Sequence, residues 1–311
     1  MYTEREEREK EKNRRMEIHT WHETKNPEWW LKKIGQCDWI GGQYLHRLLS
    51  ENRFRELFGE NAEVLLLTDG TNLASFCTYA AKDDIPDTDR TPWIGFVYTY
   101  PAYRGRRLMG KLIAKAREMA REDGDDAVWI ASREEGLYEK YGAEKVDVMK
   151  DSGGEDSSVF RLDTYGFAGW KHADIPAKNA EYPGIHTPKD LYNALWHVWC
   201  ADTCAPRMRN GWNEENRTLG QCSVTAFLAQ DIFGGKVYGI PLEDGGFHCY
   251  NVAGDCTFDL TSEQFGDRVF QYEKNPEQLR YEHFRKDEKR ARYELLRRKL
   301  KAFTTGGSGA G

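Results

Sequence analysis

The 311-residue chain lacks a long apolar stretch, an excess of positive charge and an even set of cysteines. Without a run of about 18 apolar residues, we expect no transmembrane helix and no membrane partner. A net charge of −6 argues against a general nucleic-acid binder. Seven cysteines at irregular spacings do not indicate a disulfide framework, so we expect free thiols in a reducing cytoplasm. The charged N-terminus is unlike a signal peptide.

The composition that remains, 31% charged and 39% hydrophobic residues, is typical of a soluble globular protein, and the length allows about two domains. The almost wholly charged residues 1–16 predict a solvated arm, and the Gly-rich residues 304–311 predict a flexible tail. Residues 166–185 are rich in Gly, Pro and Ala. They predict a linker between domains at 17–165 and 186–303.

The first domain is organised around a strand, a basic loop and a helix. The strand-like residues 93–100 end at Pro101, and a helix with one apolar face is predicted over 106–122. The loop between them contains Arg104, Gly105 and two further arginines. A helix N-terminus after such a loop offers unpaired N–H groups and the positive end of a dipole, which suits a pyrophosphate.

Helices are predicted over 27–34 and 43–58, and another short one over 134–141. The full order in this half is helix, helix, strand, strand, strand, helix, strand, helix, strand, strand. Together with Tyr100-Pro-Ala-Tyr-Arg-Gly105 and Gly136-Leu-Tyr-Glu-Lys-Tyr-Gly142, this order resembles the GCN5-related N-acetyltransferase (GNAT) superfamily.

The resemblance implies an α+β fold, with a mixed, mostly antiparallel sheet flanked by helices. It also implies acyl transfer from acetyl-CoA, or another acyl-CoA, to a small-molecule or peptide amine by direct attack. Arg107 and Met109 stand where the family usually has small residues. The implied cofactor-binding residues are Val97, Tyr98, Thr99, Arg104, Gly105, Arg106, Arg107, Leu108, Met109 and Gly110.

Acetyl transfer needs a deprotonated amine and a proton for the leaving thiolate. The resemblance assigns the proton donor to Tyr138; the alternative is a half-buried packing tyrosine. The central strand has no acid to serve as base. The nearest candidates in sequence are Asp87, Asp89 and Glu134, and a chain of water molecules is an equal alternative. The acidic loop at 83–89 either attracts a cationic amine or is simply solvated.

In the second domain, Cys222 is predicted to begin an apolar helix, where the helix dipole and free N–H groups lower the pKa of a thiol. His248 on a following strand could take the thiol proton, and Asp259 could orient the imidazole. The alternative is a buried cysteine, a strand histidine and a turn aspartate without catalysis. Gln221 and Asn251 are candidate oxyanion donors.

The order Cys-His-Asp recurs in papain-like and transglutaminase-like folds. Residues 186–266 also resemble the YunG-like proteins, a small bacterial family, through a Gly-Gln-Cys helix, a His-x-Tyr-Asn strand and an Asp-Leu-Thr strand end. The resemblance implies an α+β domain in which a helix-borne cysteine packs on an antiparallel sheet. We therefore expect an N-acyltransferase fused to a thiol-dependent amide-processing domain. The alternative is a non-catalytic module that binds a substrate or partner.

A zinc site is a further alternative in the second domain. It would use the pair Cys200 and Cys204 with Cys249, Cys256 or His248. The spacing Cys-x3-Cys is equally compatible with free cysteines, so we predict no metal.

Overall fold

The computed structural model describes residues 16–243, 245–266 and 268–306. The chain divides into two compact units between Thr164 and Tyr165. The predicted N-terminal arm, apart from Met16, and the tail from residue 307 lie outside the described residues. No helix in the described ranges is long and apolar enough to span a bilayer.

The first unit, as described, is built on a seven-stranded sheet in the order β1-β2-β3-β4-β5-β7-β6. Neighbouring strands are antiparallel except β4 and β5, which are parallel. The strands are β1 (Glu17–Thr20), β2 (Glu63–Thr68), β3 (Leu73–Ala80), β4 (Trp93–Thr99), β5 (Ala127–Ser132), β6 (Glu144–Lys150) and β7 (Asp156–Asp163). The helices are α1 (Pro27–Ile34), α2 (Ile40–Ser50), α3 (Phe54–Phe58) and α4 (Met109–Asp123).

Strands β2 and β3 are buried along their whole length because helices cover both faces of the sheet. Leu65 and Leu67 of β2 share a core with Leu112 of α4. Leu66, whose side chain points the other way, shares a second core with Leu45 of α2. This two-sided burial explains why these strands are continuous apolar runs rather than alternating ones.

The second unit contains a three-stranded antiparallel sheet, in the order β10-β9-β8, among its described residues. Its strands are β8 (Lys236–Pro241), β9 (Phe247–Ala253) and β10 (Cys256–Phe258). Its helices are α5 (Pro188–Val198), α6 (Cys222–Phe233), α7 (Arg280–His283) and α8 (Asp287–Gly306). Helix α6 is buried on nearly all sides, and its Phe227 and Leu228 share one core with Leu296 of α8.

The α+β class predicted from the sequence is confirmed in both units. The structure differs from the expected boundaries in two places. The expected linker over 166–185 instead contributes Phe167, Trp170 and Tyr182 to the core of the second unit, so it is packed structure rather than a free connection. The expected tail begins later than residue 304, because α8 continues to Gly306.

Two helix predictions also need correction. The single helix expected over 43–58 is two helices, because the chain turns at Asn52, which has a φ of 55°. The helix expected over 134–141 is one short 3-10 turn, Tyr138–Tyr141. The spacing of apolar residues correctly indicated local helical structure in both segments. It could not show where tertiary packing interrupts the helical hydrogen bonds.

Candidate active sites

In the described ladder, the parallel strands β4 and β5 of the first unit pair through a single pair of residues. Trp93 pairs with Trp129, and the Trp129 N–H donates to the Pro92 carbonyl at 2.9 Å. In the described ladder, the remaining residues of β4 have no partner on β5. The N–H and C=O groups of β4 that face β5 are therefore available to a ligand with its own amides.

Strand β4 also carries a bulge next to this gap. Its register with β3 shifts between the pairs Phe76–Tyr98 and Thr78–Gly95, which places one additional residue in β4. Phe96 has a φ of 48°, and a positive φ is unusual for a bulky residue. A bulge bends the strand and changes the direction of the neighbouring backbone groups and side chains. The predicted binding residues Val97, Tyr98 and Thr99 therefore come immediately after the distorted backbone of Phe96.

The basic loop enters α4 with a left-handed backbone. Gly105 has a φ of 77° and Arg107 a φ of 55°. The side chains of Leu108 and Met109 are buried in the core, so only their backbone groups can reach a ligand. The N–H groups of Leu108 and Met109 lie at the start of α4, and among the described residues no acceptor pairs with them. Gly110 is small because a Cβ there would lie 2.8 Å from the Tyr141 ring.

The three arginines of the loop have different surroundings. The Arg104 Nε–H donates to the Thr99 carbonyl at 3.0 Å, and its guanidinium lies over the Tyr98 ring. Arg106 lies over the ring of Tyr103, 5.5 Å from its centroid. Arg107 is exposed. Arg104 thus packs against the last residues of β4, whereas the side chains of Arg106 and Arg107 are exposed on the loop.

Tyr138 is buried rather than half-buried, with 6% of its surface exposed. Its ring packs on Phe160, at a centroid distance of 5.6 Å. Burial raises the pKa of Tyr138 to about 12, the charge of Asp83 contributes in the same direction, and a hydrogen bond with Ser132 opposes the rise. The hydroxyl therefore keeps its proton at neutral pH, as a proton donor must.

Asp83, which the sequence did not single out, lies against the central strand. A Cβ built on Gly95 of β4 would be only 2.6 Å from the Asp83 Oδ1. Burial raises the pKa of this carboxyl to about 7, and a hydrogen bond from the Asp84 N–H opposes that rise. The side chains of Asp87, Asp89 and Glu134 are exposed instead. A lone glycine between large residues of β4 was the only signal that a side chain approaches the strand there.

In the second unit, His248 and Asp259 form a fully buried pair. The His248 Nε2 lies 2.5 Å from the Asp259 Oδ2, and neither side chain is exposed to solvent. The Tyr272 hydroxyl donates to the same carboxylate oxygen at 3.0 Å. The Thr261 N–H donates to the other oxygen at 3.1 Å. The carboxylate is thus fixed from three directions and holds the imidazole in one orientation.

The electrostatics of this pair extend to Cys222. Burial alone lowers the pKa of His248, but the hydrogen bond and charge of Asp259, with a contribution from Cys222, raise it to about 10. The pKa of the Cys222 thiol is lowered, first by a hydrogen bond from Cys249 and then by His248, against the effect of burial. His248 Nδ1 is buried and has no partner with hydrogen-bond geometry in the described chain.

Local structure places Cys222 at the first position of α6. Gly220 turns the chain there with a φ of 66°, and a Cβ on it would lie 2.7 Å from the Cys204 Sγ. Each candidate oxyanion donor gives one N–H to a backbone carbonyl. The Gln221 Nε2 donates to the Cys200 carbonyl at 3.1 Å. The Asn251 Nδ2 donates to the carbonyl of a residue in α6 at 2.8 Å, so both amides brace the helix.

All seven cysteines are free thiols. Within residues 16–243, 245–266 and 268–306, none of them belongs to a group of three side chains close enough to hold a metal. Cys222 and Cys249 instead line a cavity of about 890 Å³ that lies wholly within the second unit. The thiol at the helix N-terminus is thus open to a ligand, while its histidine and aspartate are shielded from water.

Comparison with known protein families identifies both halves. The model of the acetyltransferase (GNAT) domain matches residues 38–146, and the model of the YunG protein matches residues 187–305. The chain carries a GNAT acetyltransferase domain followed by a YunG domain. Protein YunG of Bacillus subtilis (strain 168) is 43% identical over 54 residues, which is 17% of this chain and 46% of that protein. The chain therefore spans less than half the length of this relative.

Solved structures resemble the GNAT half at low identity. An acetyltransferase from Streptococcus agalactiae is 19% identical with a TM-score of 0.36, over 48% of this chain and 98% of that one. A GNAT family acetyltransferase from Elizabethkingia anophelis, solved with acetyl-CoA bound, is 14% identical with a TM-score of 0.34, over 48% and 97%. Because these scores are low, the assignment rests on the family matches.

The matched ranges contain the features described above. The gap beside β4, the basic loop, Asp83 and Tyr138 fall within the GNAT domain. Cys222, His248 and Asp259 fall within the YunG domain. Each domain thus has its own candidate site, built from its own residues.

Proposed function

We propose that the GNAT domain transfers an acyl group from acetyl-CoA, or another acyl-CoA, to an amine that attacks the thioester directly. The gap between β4 and β5, beside the bulge at Phe96, carries this proposal. Along this gap, N–H and C=O groups of β4 have no partner on β5 in the described ladder. The pantetheine arm of CoA contains two amides that can pair with such groups, and the bulged backbone at Val97 can bind the thioester carbonyl.

The diphosphate would bind at the start of α4. The N–H groups from Arg107 to Met109 are unpaired in the described chain, and the left-handed backbone at Gly105 and Arg107 turns the loop around them. Arg106 and Arg107 add positive charge at the same place. The buried side chains of Leu108 and Met109 anchor the loop, so the departure from small residues leaves the backbone donors in place.

The raised pKa values of Asp83 and Tyr138 indicate which group accepts a proton and which group donates one. Burial raises the pKa of Asp83 to about 7, so its carboxylate is a stronger base than an ordinary one and can accept a proton from the amine. Tyr138, with a pKa of about 12, keeps its proton and can give it to the leaving thiolate. The charge of Asp83 raises the pKa of Tyr138, so the two groups lie within electrostatic range of one another.

The test is CoA release from acetyl-CoA in the presence of a panel of small and peptide amines, followed by chromatography. Tyr138→Phe should lower kcat about a hundredfold while acetyl-CoA binding is kept, because only proton donation is removed. Tyr44→Phe, at a partly exposed tyrosine of α2, is the control. Tight acetyl-CoA binding without turnover of any amine would show a CoA sensor and refute the transferase proposal.

A second activity is favoured by the Cys222, His248 and Asp259 arrangement in the YunG domain. We propose that the Cys222 thiolate attacks an amide carbonyl and that the protonated His248 gives its proton to the departing amine. The acyl group, now held on Cys222 as a thioester, would then be transferred to water or to another amine, which regenerates the thiolate. The alternative is a binding module in which this triad is only structural.

The pH dependence of alkylation separates these alternatives. Iodoacetamide should label Cys222 rapidly at a pH well below the range of an ordinary thiol, because the hydrogen bond from Cys249 and the imidazolium stabilise the thiolate. Cys200 and Cys256, which are partly exposed, serve as references in the same peptide digest. Labelling of all three cysteines with one common pH profile would support the binding module.

A further inference from the structure

The cavity beside Cys222 has a charge opposite to that of the whole chain. The protein carries a net charge of −6. The described residues that line the cavity include two carboxylates, Glu243 and Glu288. The same lining includes five cationic side chains, which are Arg207, Arg268, Lys286, Lys289 and Arg292. A negatively charged ligand would therefore be attracted to this wall.

Two of these cations are neutralised within the wall. Arg292 is buried, donates to the Gly220 carbonyl at 2.9 Å, and forms an ion pair with Glu288 at 3.0 Å. Arg268 lies 3.7 Å from Glu243. These contacts use both carboxylates of the lining. The excess positive charge of the cavity then comes from the other cations, among which Lys289 is the best defined.

Lys289 extends from α8 into the cavity without a carboxylate partner among the described residues. Its Nζ donates to His283 Nδ1 at 3.2 Å. Burial lowers the pKa of His283 to about 4, and the charge of Lys289 lowers it further, so this ring is neutral at pH 7. His283 Nε2 is buried and has no hydrogen-bond partner in the described ranges. A neutral ring that accepts at Nδ1 carries its proton on Nε2, which leaves an unpaired donor at the same site.

The ammonium of Lys289 is partly desolvated and close to the thiol. Burial first, and then the charge of Lys286, lowers the pKa of Lys289. The neighbouring Cys249, Glu288 and Cys222 raise it. A desolvated ammonium gains more from an anionic ligand than an exposed one does, because water no longer competes with the ligand. The cavity thus combines a nucleophile candidate with a separate ammonium that forms no salt bridge with a carboxylate among the described residues.

We propose that the YunG cavity binds amide substrates that carry a carboxylate near the scissile bond, with Lys289 as the residue that recognises this carboxylate. The proposal rests on the proposed thiol chemistry only for the role of Cys222 as nucleophile. Lys289 is the lining cation that contacts the neutral His283 ring, and one ammonium beside a neutral imidazole can hold a monoanionic carboxylate.

Two alkylating reagents of different charge test the recognition without a known substrate. Iodoacetate carries a carboxylate and iodoacetamide is its neutral analogue. We expect Lys289→Met to lower the ratio of their labelling rates at Cys222 about fivefold in low salt. Both reagents require the same thiolate, so any change in the pKa of Cys222 cancels in the ratio. Lys289→Arg, which keeps the charge, should retain most of the wild-type ratio.

Lys301→Met is the matched control, because Lys301 lies on the same helix, outside the cavity, and pairs with Glu181. If Lys289→Met fails to fold, Lys286→Met replaces it, with an expected decrease of about twofold. An unchanged ratio in every folded cavity variant would overturn the proposal. Failure of the thiol chemistry would look different, because both reagents would then label Cys222 slowly at low pH.

A protection experiment distinguishes the anion class. Succinate should slow labelling of Cys222 by iodoacetamide in the wild type and much less in Lys289→Met. Inorganic phosphate at the same ionic strength should protect less than succinate. Stronger protection by phosphate than by succinate would overturn the carboxylate assignment.

Discussion

Asp83 allows catalysis and stability to be tested with one substitution. Asp83→Asn keeps the shape of the side chain and its hydrogen bond with the Asp84 N–H, but removes the negative charge beside Gly95. If the carboxylate accepts the amine proton, the variant loses acetyl transfer. If the carboxylate is as poorly solvated as its pKa indicates, the variant also gains stability at alkaline pH.

The sign and size of the stability change follow from the pKa. The carboxyl ionises near 3.8 when unperturbed and near about 7 in the folded protein. Between these values the folded protein holds a proton that the unfolded chain has lost. The stabilisation linked to this group is complete below pH 4 and is lost as the pH rises through 7. The difference has a ceiling of about 4 kcal/mol, and partial exposure of Asp83 reduces it to about 1–2 kcal/mol.

Chemical unfolding of both proteins from pH 4.5 to 8.5 measures this effect. The stability advantage of Asp83→Asn over the wild type should grow with pH and level off above 7. In parallel, kcat/KM for acetyl transfer should fall about a hundredfold, and the acidic limb of the wild-type pH profile near 7 should disappear. Both measurements use the full chain.

Asp87→Asn is the matched control, since Asp87 is an exposed acid in the same loop. It should leave the stability profile and the pH–rate profile unchanged. If the two variants behave alike in unfolding, the Asp83 carboxyl is well solvated and the reasoning from burial is wrong. If stability changes as expected while acetyl transfer is retained, Asp83 is a buried acid and not the base.

Three further substitutions test the control of the Cys222 thiol, the approach of Asp83 to Gly95 and the N-terminal cap of α5. Asp259→Asn should move the alkylation midpoint of Cys222 upward by about one to two pH units, because the charge that stabilises the imidazolium is lost; an unchanged midpoint would show that the imidazolium does not control the thiol. Gly95→Ala should lower acetyl transfer about tenfold, since its Cβ displaces the Asp83 carboxylate; full activity would contradict the close approach. Thr187→Ala should destabilise the second unit by about 1 kcal/mol in denaturant unfolding by removing the capping box of α5, and Thr187→Ser should not; equal stability of the two variants would contradict the cap.

The sequence by itself determined the features that depend on neighbouring residues. The strand, basic loop and helix around Gly105 were readable because a loop of this kind is a local pattern. The position of Cys222 at the start of a helix followed from Gly220 and the apolar residues after it. The candidates His248 and Asp259 followed from strand ends and a fixed order, without knowledge of their distance.

The tertiary structure decided what these residues can do. The pKa of Asp83 depends on its approach to Gly95, twelve positions away, and that of Cys222 on strand β9. The bulge at Phe96 appears only in the register between β3 and β4. The positive cavity needs Lys289, which comes from the last helix. Desolvation and charge–charge distances arise from packing between distant segments, so no local pattern in the chain could specify them.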